Sequence, residues 1–328
     1  MKKISCCGYH ATGSGAVDDY LREFNNISLA RYGVECRFLQ DPDGISDLAF
    51  NLVENTHRLN AGFALKRYMN FVKYEKRTYR HIFGEKWYEY SKDYLDSLTE
   101  FEYKGYWHGD IRLISSLELF VYKTRRFINL LMPKSIRKNK YYSYFPHIKT
   151  PCVCTDRDEF IDKTRKYVNR LCDLLNADNR EYVVLDQVAS AQNPMRYIEY
   201  VDDLKVVIVD RDPRDVYMND IIKNKDFVLP VDVHEFCEIY KKSRITVGEK
   251  EDPKLVLRLN FEDMIYHYDE TTEKVKEFLG LSEEQHKDKF KHFDPKVSIA
   301  NTKIWEKKSG YEKEIQVIEQ ELKDYLYF

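Results

Sequence analysis

The first 24 residues confine this chain to a small set of folds. Ile4-Ser5-Cys6-Cys7-Gly8 is short, apolar and free of charge, the composition of a strand buried on both faces within a parallel sheet. A loop of small residues follows, Tyr9-His10-Ala11-Thr12-Gly13-Ser14-Gly15-Ala16. Val17, Tyr20, Leu21 and Phe24 then recur at helical spacing with Asp18, Asp19, Arg22 and Glu23 between them. The pattern predicts a strand, a loop and a helix that opens near Ser14 to Ala16 and points its N-terminus back at the loop. Unpaired first-turn N–H groups and the positive end of the helix dipole make such a loop an anion site. Gly13 and Gly15 let the backbone approach an oxygen that a side chain would obstruct. The spacing of Gly8 and Gly13 fits the first half of a Walker-type loop. Ser14, however, stands where the lysine belongs and Gly15 where the magnesium-binding hydroxyl belongs, which argues against ATP or GTP hydrolysis. The plainer alternative is a Gly-rich βα turn with no ligand.

The remaining sheet is read from similar runs. Gly33 to Leu39 alternates like a strand and ends at the Gln40-Asp41-Pro42-Asp43-Gly44 turn. Asp41 and Asp43 either face a ligand at the carboxyl edge of the sheet or bond their own turn. Tyr182 to Asp186 and Lys205 to Asp210 read as buried strands, the second running into Arg211-Asp212-Pro213-Arg214-Asp215-Val216, where Pro213 starts a helix. Lys254 to Leu259 is the last strand, followed by a helix that closes at Phe278-Leu279-Gly280. Five strands separated by helices predict an α/β fold, a three-layer, doubly wound, mainly parallel sheet with a P-loop-like first βα turn.

Between these strands the chain is mostly helical. Ser46 to Val72 reads as one helix, on which Glu54 and His57 lie three apart on a shared face. Lys73 to Lys140 is aromatic and charged with no run long enough to extend the sheet, and we read residues 73–150 as a helical cap inserted into a single domain of residues 1–328. Its many tyrosines and phenylalanines either pack helices or line an acceptor cleft. Its basic end, from Lys123, Arg125 and Arg126 through Lys134 and Arg137 to Lys138 and Lys140, is either a solvated face or a peripheral contact for an anionic acceptor or lipid head group. Tyr141 to Thr155, with Pro146 and Pro151, reads as a connector, and Asp156 is placed to cap a helix over Arg157 to Leu175.

Composition narrows the partners. A formal net charge of −2 across 328 residues supplies no global field for nucleic acid, so an anionic ligand must be met locally. Seven cysteines, odd in number and without C-x-x-C pairs, argue against a zinc ribbon or a disulfide framework and for a reducing cytoplasm. No stretch is long and apolar enough for a signal-peptide core or a transmembrane span.

Three separated stretches, Gly8 to Ala16, Val207 to Val216, and Leu259-Asn-Phe-Glu-Asp-Met264 with Val275 to Leu281, together resemble sulfotransferases that use 3′-phosphoadenosine 5′-phosphosulfate, most of all the bacterial glycan-modifying members. The resemblance implies that His10, Ala11, Thr12, Gly13, Ser14, Gly15 and Ala16 hold the 5′-phosphosulfate. It implies that Arg211, with Asn219 in place of the family's serine, holds the 3′-phosphate, and that a late loop including Ser298, Asn301 and Lys303 closes over the nucleotide. The implied reaction transfers a sulfuryl group to a hydroxyl or amine, with a carbohydrate as the expected acceptor and no metal required. Two departures stand out. The family's loop lysine has no counterpart, and Gln187 stands where relatives often carry a lysine; His10, Arg58, Lys66 or Lys303 would have to supply the charge. Candidates for the general base are His57, Glu54, Asp43 and His10. A nucleotide-dependent phosphotransferase and a catalytically silent binding protein of the same fold are the alternatives.

Overall fold

The computed structural model describes residues 1–30, 34–105, 108–137, 149–225, 228–245 and 250–328. The chain divides into two compact units, Met1–Gln40 with Cys172–Phe328, and Asp41–Leu171. Seven strands occur among the described residues: β1 (Lys2–Gly8), β2 (Ile27–Leu29), β3 (Phe101–Lys104), β4 (Lys149–Cys152), β5 (Tyr182–Val184), β6 (Leu204–Asp210) and β7 (Val256–Asn260).

The first unit is an α/β fold around a five-stranded sheet of order β2-β5-β1-β6-β7, in which every pairing is parallel. β1 is the centre. The chain leaves it toward β2 and β5 on one side and toward β6 and β7 on the other, so the loop after β1 sits at the topological switch point, where open α/β sheets bind ligands. The pleat divides the sheet's side chains between two faces. Val207 and Val209 of β6 join Ile4, Cys6, Val17, Tyr20, Leu21 and Val275 in one core, while Val216, Phe236, Tyr240, Ile304 and Ile318 form a second. The expected helix forms over Gly15–Arg22 and buries Ala16, Val17, Tyr20 and Leu21. Pro213–Met218 begins with Pro213 in its first turn as read, and Tyr268–Leu279 ends at Gly280, which takes the left-handed φ of 78° that favours glycine.

The edge strand is a correction. Gly33 lies outside the described residues, and Arg37–Leu39 is a single 3₁₀ turn rather than a strand. Exposed Arg37 between buried Cys36 and Phe38 gives the strand-like alternation, but residues 34–40 pair with no strand among the described residues. The fifth strand is instead β2, only three residues long, paired with β5.

In the second unit the helix expected over residues 46–72 is broken. Ile45–Ala49 is α-helical, Phe50–Glu54 is a π-helical turn, and Arg58–Tyr74 is a new helix with His57 as its extended N-cap. Glu54 and His57 therefore share no helix face. Lys76–Phe83, Lys86–Leu98 and Ser116–Leu131 are helical as expected, but the run also holds β3, which pairs antiparallel with β4 in a sheet of its own. The connector's residues 141–148, with Pro146, lie outside the described residues. Asp156 accepts from the Glu159 amide at 2.9 Å and caps Arg157–Leu175. Most of the buried aromatics pack helices: Tyr94 stacks on Tyr167 at 4.7 Å, Tyr68 and Ser91 meet the Tyr167 hydroxyl, and Trp87 donates to the Val72 carbonyl.

Glu23, just past the first helix, ties that helix to a distant segment. Its carboxylate, 0% exposed, meets the buried His286 side chain at Nε2 over 2.6 Å and accepts from the amides of His292 and Phe293. Glu23→Ala strands those donors and should lower unfolding free energy by about 3–5 kcal/mol in urea titration. Glu23→Gln keeps one acceptor oxygen for the two amides and should lose less. Equal losses would show that the charge, not the hydrogen bonding, stabilises the segment.

Candidate anion-binding site

The loop after β1 turns on residues with unusual backbone. His10 has φ 80°, Ala11 55° and Gly13 91°, three left-handed residues within four positions. A Cβ at Gly13 would lie 2.5 Å from the Phe261 ring, so glycine is required there by contact as well as by conformation. Buried Thr12 accepts from the Tyr9 amide through Oγ1 at 3.1 Å, which closes the turn. Ser14 does not cap the helix it precedes; its Oγ receives Gln187 Nε2 at 3.0 Å. Gln187 thus supplies a neutral hydrogen bond to the loop. Among the described residues the amides of Gly13, Ser14 and Gly15 find no acceptor, and a Cβ at Gly15 would meet nothing within 4 Å. The helix opening is therefore uncapped and has space beside it, as an anion site needs.

Arg211, directly after β6, joins the separated stretches. It is 5% exposed. Nη1 donates to the Ala11 carbonyl at 2.9 Å, Nη2 donates to the Asn301 carbonyl, and the guanidinium lies 4.9 Å from the centre of the Phe261 ring. Nε is buried without a partner, and burial lowers the guanidinium pKa. Asn219, eight residues further on, is buried. An orphaned guanidinium donor fits an incoming anion.

The rest of the Arg211–Asp215 run builds the frame. Asp212 caps the helix through the Arg214 amide at 2.8 Å and pairs with the Arg214 guanidinium. Asp215 accepts from the amides of Lys303 and Ile304 at 2.7 and 2.6 Å. Glu262 accepts from the Asp212 amide at 3.0 Å; its other oxygen is buried without a partner, and burial pushes its pKa up to about 7.

His10 Nε2 lies 2.7 Å from Oδ1 of Asp220, whose side chain is wholly buried and also accepts from the Leu229 amide. The anion-facing histidine expected from sequence is thus anchored from behind by a carboxylate that sequence reasoning missed. The missing signal was small: Asp220 follows Asn219 directly, in a segment read only as helix. Tyr9 was also passed over. Its hydroxyl receives Arg258 and donates to the Ala191 carbonyl, and its ring carries Arg244, which pairs through two nitrogens with Asp210.

Other expected site residues are placed as follows. Ala16 is in the first helical turn. Asn301 Oδ1 accepts from Lys223, whereas the Lys303 amine is exposed, 3.9 Å from Glu306. Ser298 ends the short helix Pro295–Ser298, and its amide bonds the Asp294 carbonyl. Asp43, Glu54, His57 and Lys66 belong to the second unit. Asp43 has φ 62°, donates its amide to Asp47 and pairs with Arg67 at 3.3 Å, the behaviour of a turn residue. His57 Nδ1 accepts from the Leu59 amide as an N-cap, and Lys66 pairs with Asp110 at 2.8 Å. The side chain of Arg58 lies outside the described residues.

No protein-family model and no curated protein matches the sequence. Among solved structures, retinol dehydratase in complex with androsterone and the inactive cofactor PAP is 15% identical with a TM-score of 0.33, covering 99% of this chain and 81% of its own. Sulfotransferase STF9 from Mycobacterium avium is 10% identical with a TM-score of 0.27, covering 66% of this chain and 64% of its own. Likenesses this slight leave the function to be argued from the site itself.

Beneath the loop lies a second electrostatic feature. Asp18, in the first helical turn, meets Asp186, just past β5, side chain to side chain, and the Cys6 thiol touches Asp18. Among the described residues one oxygen of each carboxyl is buried without a donor, so a proton shared between them supplies the missing hydrogen bond. Burial, and then the Asp18 charge, push Asp186 up to about 9. The folded chain therefore holds a proton that the unfolded chain releases near pH 4. Stability should be complete below that pH and decline as pH rises toward about 9. Asp186→Asn, which keeps a donor toward Asp18 without titrating, should flatten the fall in melting temperature between about pH 5 and about pH 8. An unchanged slope would place the titration elsewhere.

Proposed function

We propose that the chain is a sulfotransferase that takes 3′-phosphoadenosine 5′-phosphosulfate as donor and transfers its sulfuryl group to an acceptor hydroxyl or amine, with a glycan as the acceptor class. One observation carries the reading. The three stretches that resemble the family, far apart in sequence, meet at Arg211: the first through the Ala11 carbonyl, the third through the Phe261 ring beneath the guanidinium.

On this reading the amides of Gly13, Ser14 and Gly15 and the helix dipole bind the 5′ end of the donor. Arg211 Nε and the Asn219 amide bind the 3′-phosphate. The donor supplies an activated sulfuryl group, and the protein supplies position and charge. His10 stands in for the family's loop lysine. Asp220 holds Nε2, which leaves Nδ1 as the atom that offers a proton toward the bound anion or takes one from the acceptor. Arg211 is also part of the scaffold, because its Nη groups bond two carbonyls that would be orphaned without it. Asn219 is the cleaner probe of the 3′-phosphate.

The absence of any lysine or arginine among residues 9–16 favours a second reading, a binding protein of this fold without turnover. The two readings divide on chemistry. Both expect 3′-phosphoadenosine 5′-phosphate to raise the melting temperature without magnesium and ATP to raise it less. Asn219→Ala should weaken that binding about tenfold, the scale of one hydrogen bond to a charged group. Equal shifts from both nucleotides, or a strict magnesium requirement, would remove the donor assignment. Transfer from radiolabelled donor to a glycan panel separates enzyme from binder.

For the enzyme, His10→Ala should lower kcat by roughly 10²-fold, the range for losing one transition-state donor, with a smaller effect on donor affinity. Asp220→Asn should lower kcat less and shift its pH profile, because it alters the charge held against the imidazole. A normal kcat in His10→Ala would take the histidine out of the mechanism.

A further inference from the structure

The helix Ser116–Leu131 turns its apolar side outward. Leu117, Phe120, Val121, Phe127, Ile128 and Leu131 fall on a single helical stripe, with Thr124 at its middle donating its hydroxyl to the Phe120 carbonyl. Leu117 is 73% exposed, Phe120 67%, Phe127 62% and Leu131 70%. Buried Asn129 and half-buried Leu119 and Tyr122 lie off that stripe and mark the side that packs inward. An exposed run of this length on a helix is far from the scattered single apolar residues of ordinary surfaces.

The helix is held at both ends by its own neighbourhood. Ser115 and Glu118 form a reciprocal capping box, and Arg137 donates to the carbonyls of Leu130 and Met132 at the other end. The stripe need not pack on anything for the helix to persist. Charge frames it. Lys123, three residues after Phe120 and four before Phe127, borders one edge; Arg125, four after Val121 and three before Ile128, borders the other. Arg126, Lys134 and Arg137 add to the positive charge. Glu118 is the only acidic residue from 116 to 137, and its carboxylate is engaged in the cap.

We propose that this helix is a docking surface for an anionic lipid bilayer, lying in the plane of the interface with its stripe in the acyl boundary and its flanking cations among the head groups. Apolar residues bordered on both sides by long cationic side chains are the pattern of an interfacial helix, since such side chains snorkel to phosphates while their stems cover apolar surface. Among the described residues no helix is long and apolar enough to cross a membrane, so the contact is peripheral. A second copy of the chain fits less well as the occupant, because two such helices packed stripe to stripe would bring their cationic borders together.

The test is flotation of the full chain with vesicles of phosphatidylcholine alone and of equimolar phosphatidylcholine and phosphatidylglycerol. We expect binding to the anionic vesicles, little to the neutral ones, and weakening with salt. Phe120→Ser with Phe127→Ser, and separately Arg125→Glu with Arg126→Glu, should each reduce partitioning at least tenfold while the melting temperature stays near that of the parent. The proposal fails if the folded parent ignores anionic vesicles or if both double variants still bind them. It fails equally if sedimentation shows a dimer that the phenylalanine variant dissociates, or if the helix captures a protein in place of lipid. Neither outcome bears on donor binding, which is measured separately.

Discussion

The first unit depends on how one cation is kept out of water. Arg211 has two carbonyls, one aromatic face and three nearby carboxylates for company, and still has a donor to spare. A charge taken this far from solvent is tolerable only when its hydrogen-bonding groups are matched. The matching comes from backbone brought in by sequence-distant loops, so satisfying the arginine and assembling the site are a single event. Asp215 does the same with opposite charge, fixing the amides of Lys303 and Ile304.

The loop after β1 shows the complementary strategy. Left-handed backbone at His10, Ala11 and Gly13 is costly for residues with a Cβ, and the surroundings over-determine it: Thr12 closes the turn, Arg211 takes the Ala11 carbonyl, Asp220 holds the imidazole, and Phe261 leaves no room for a larger residue at Gly13. The uncapped helix start then leaves its donors open, as Arg211 leaves Nε. Other donors of the unit are matched: Asp212 caps its own helix, and Glu23 takes the amides of His292 and Phe293.

Much of this was legible in the residues alone. Strands buried on both faces advertise themselves by composition, because few polar positions are tolerated on either side; β1, β5, β6 and β7 were all found within a few residues of their ends. Pro213 and Gly280 marked helix ends through conformations their backbones prefer or uniquely allow. β2 escaped notice because three residues at an edge carry no periodicity, while the run into Arg37–Leu39 imitated a strand because exposed Arg37 lies between buried Cys36 and Phe38. The break before His57 was equally silent, since Asn55 and Thr56 include no glycine or proline to mark it.

The sequence by itself determined most strands of the large sheet and the switch-point loop, since these follow from local composition, backbone preference and spacing, and its family resemblance pointed to the arginine beside that loop. Only the tertiary structure decided what each polar group faces. Asp220 behind His10, Asp186 against Asp18, and the two carbonyls on Arg211 join residues separated by 210, 168, 200 and 90 positions. Pairings at such separations obey no local period. They exist because burial in a shared interior makes an unmatched polar group expensive, and the chain meets that cost with whichever partner the fold brings within reach.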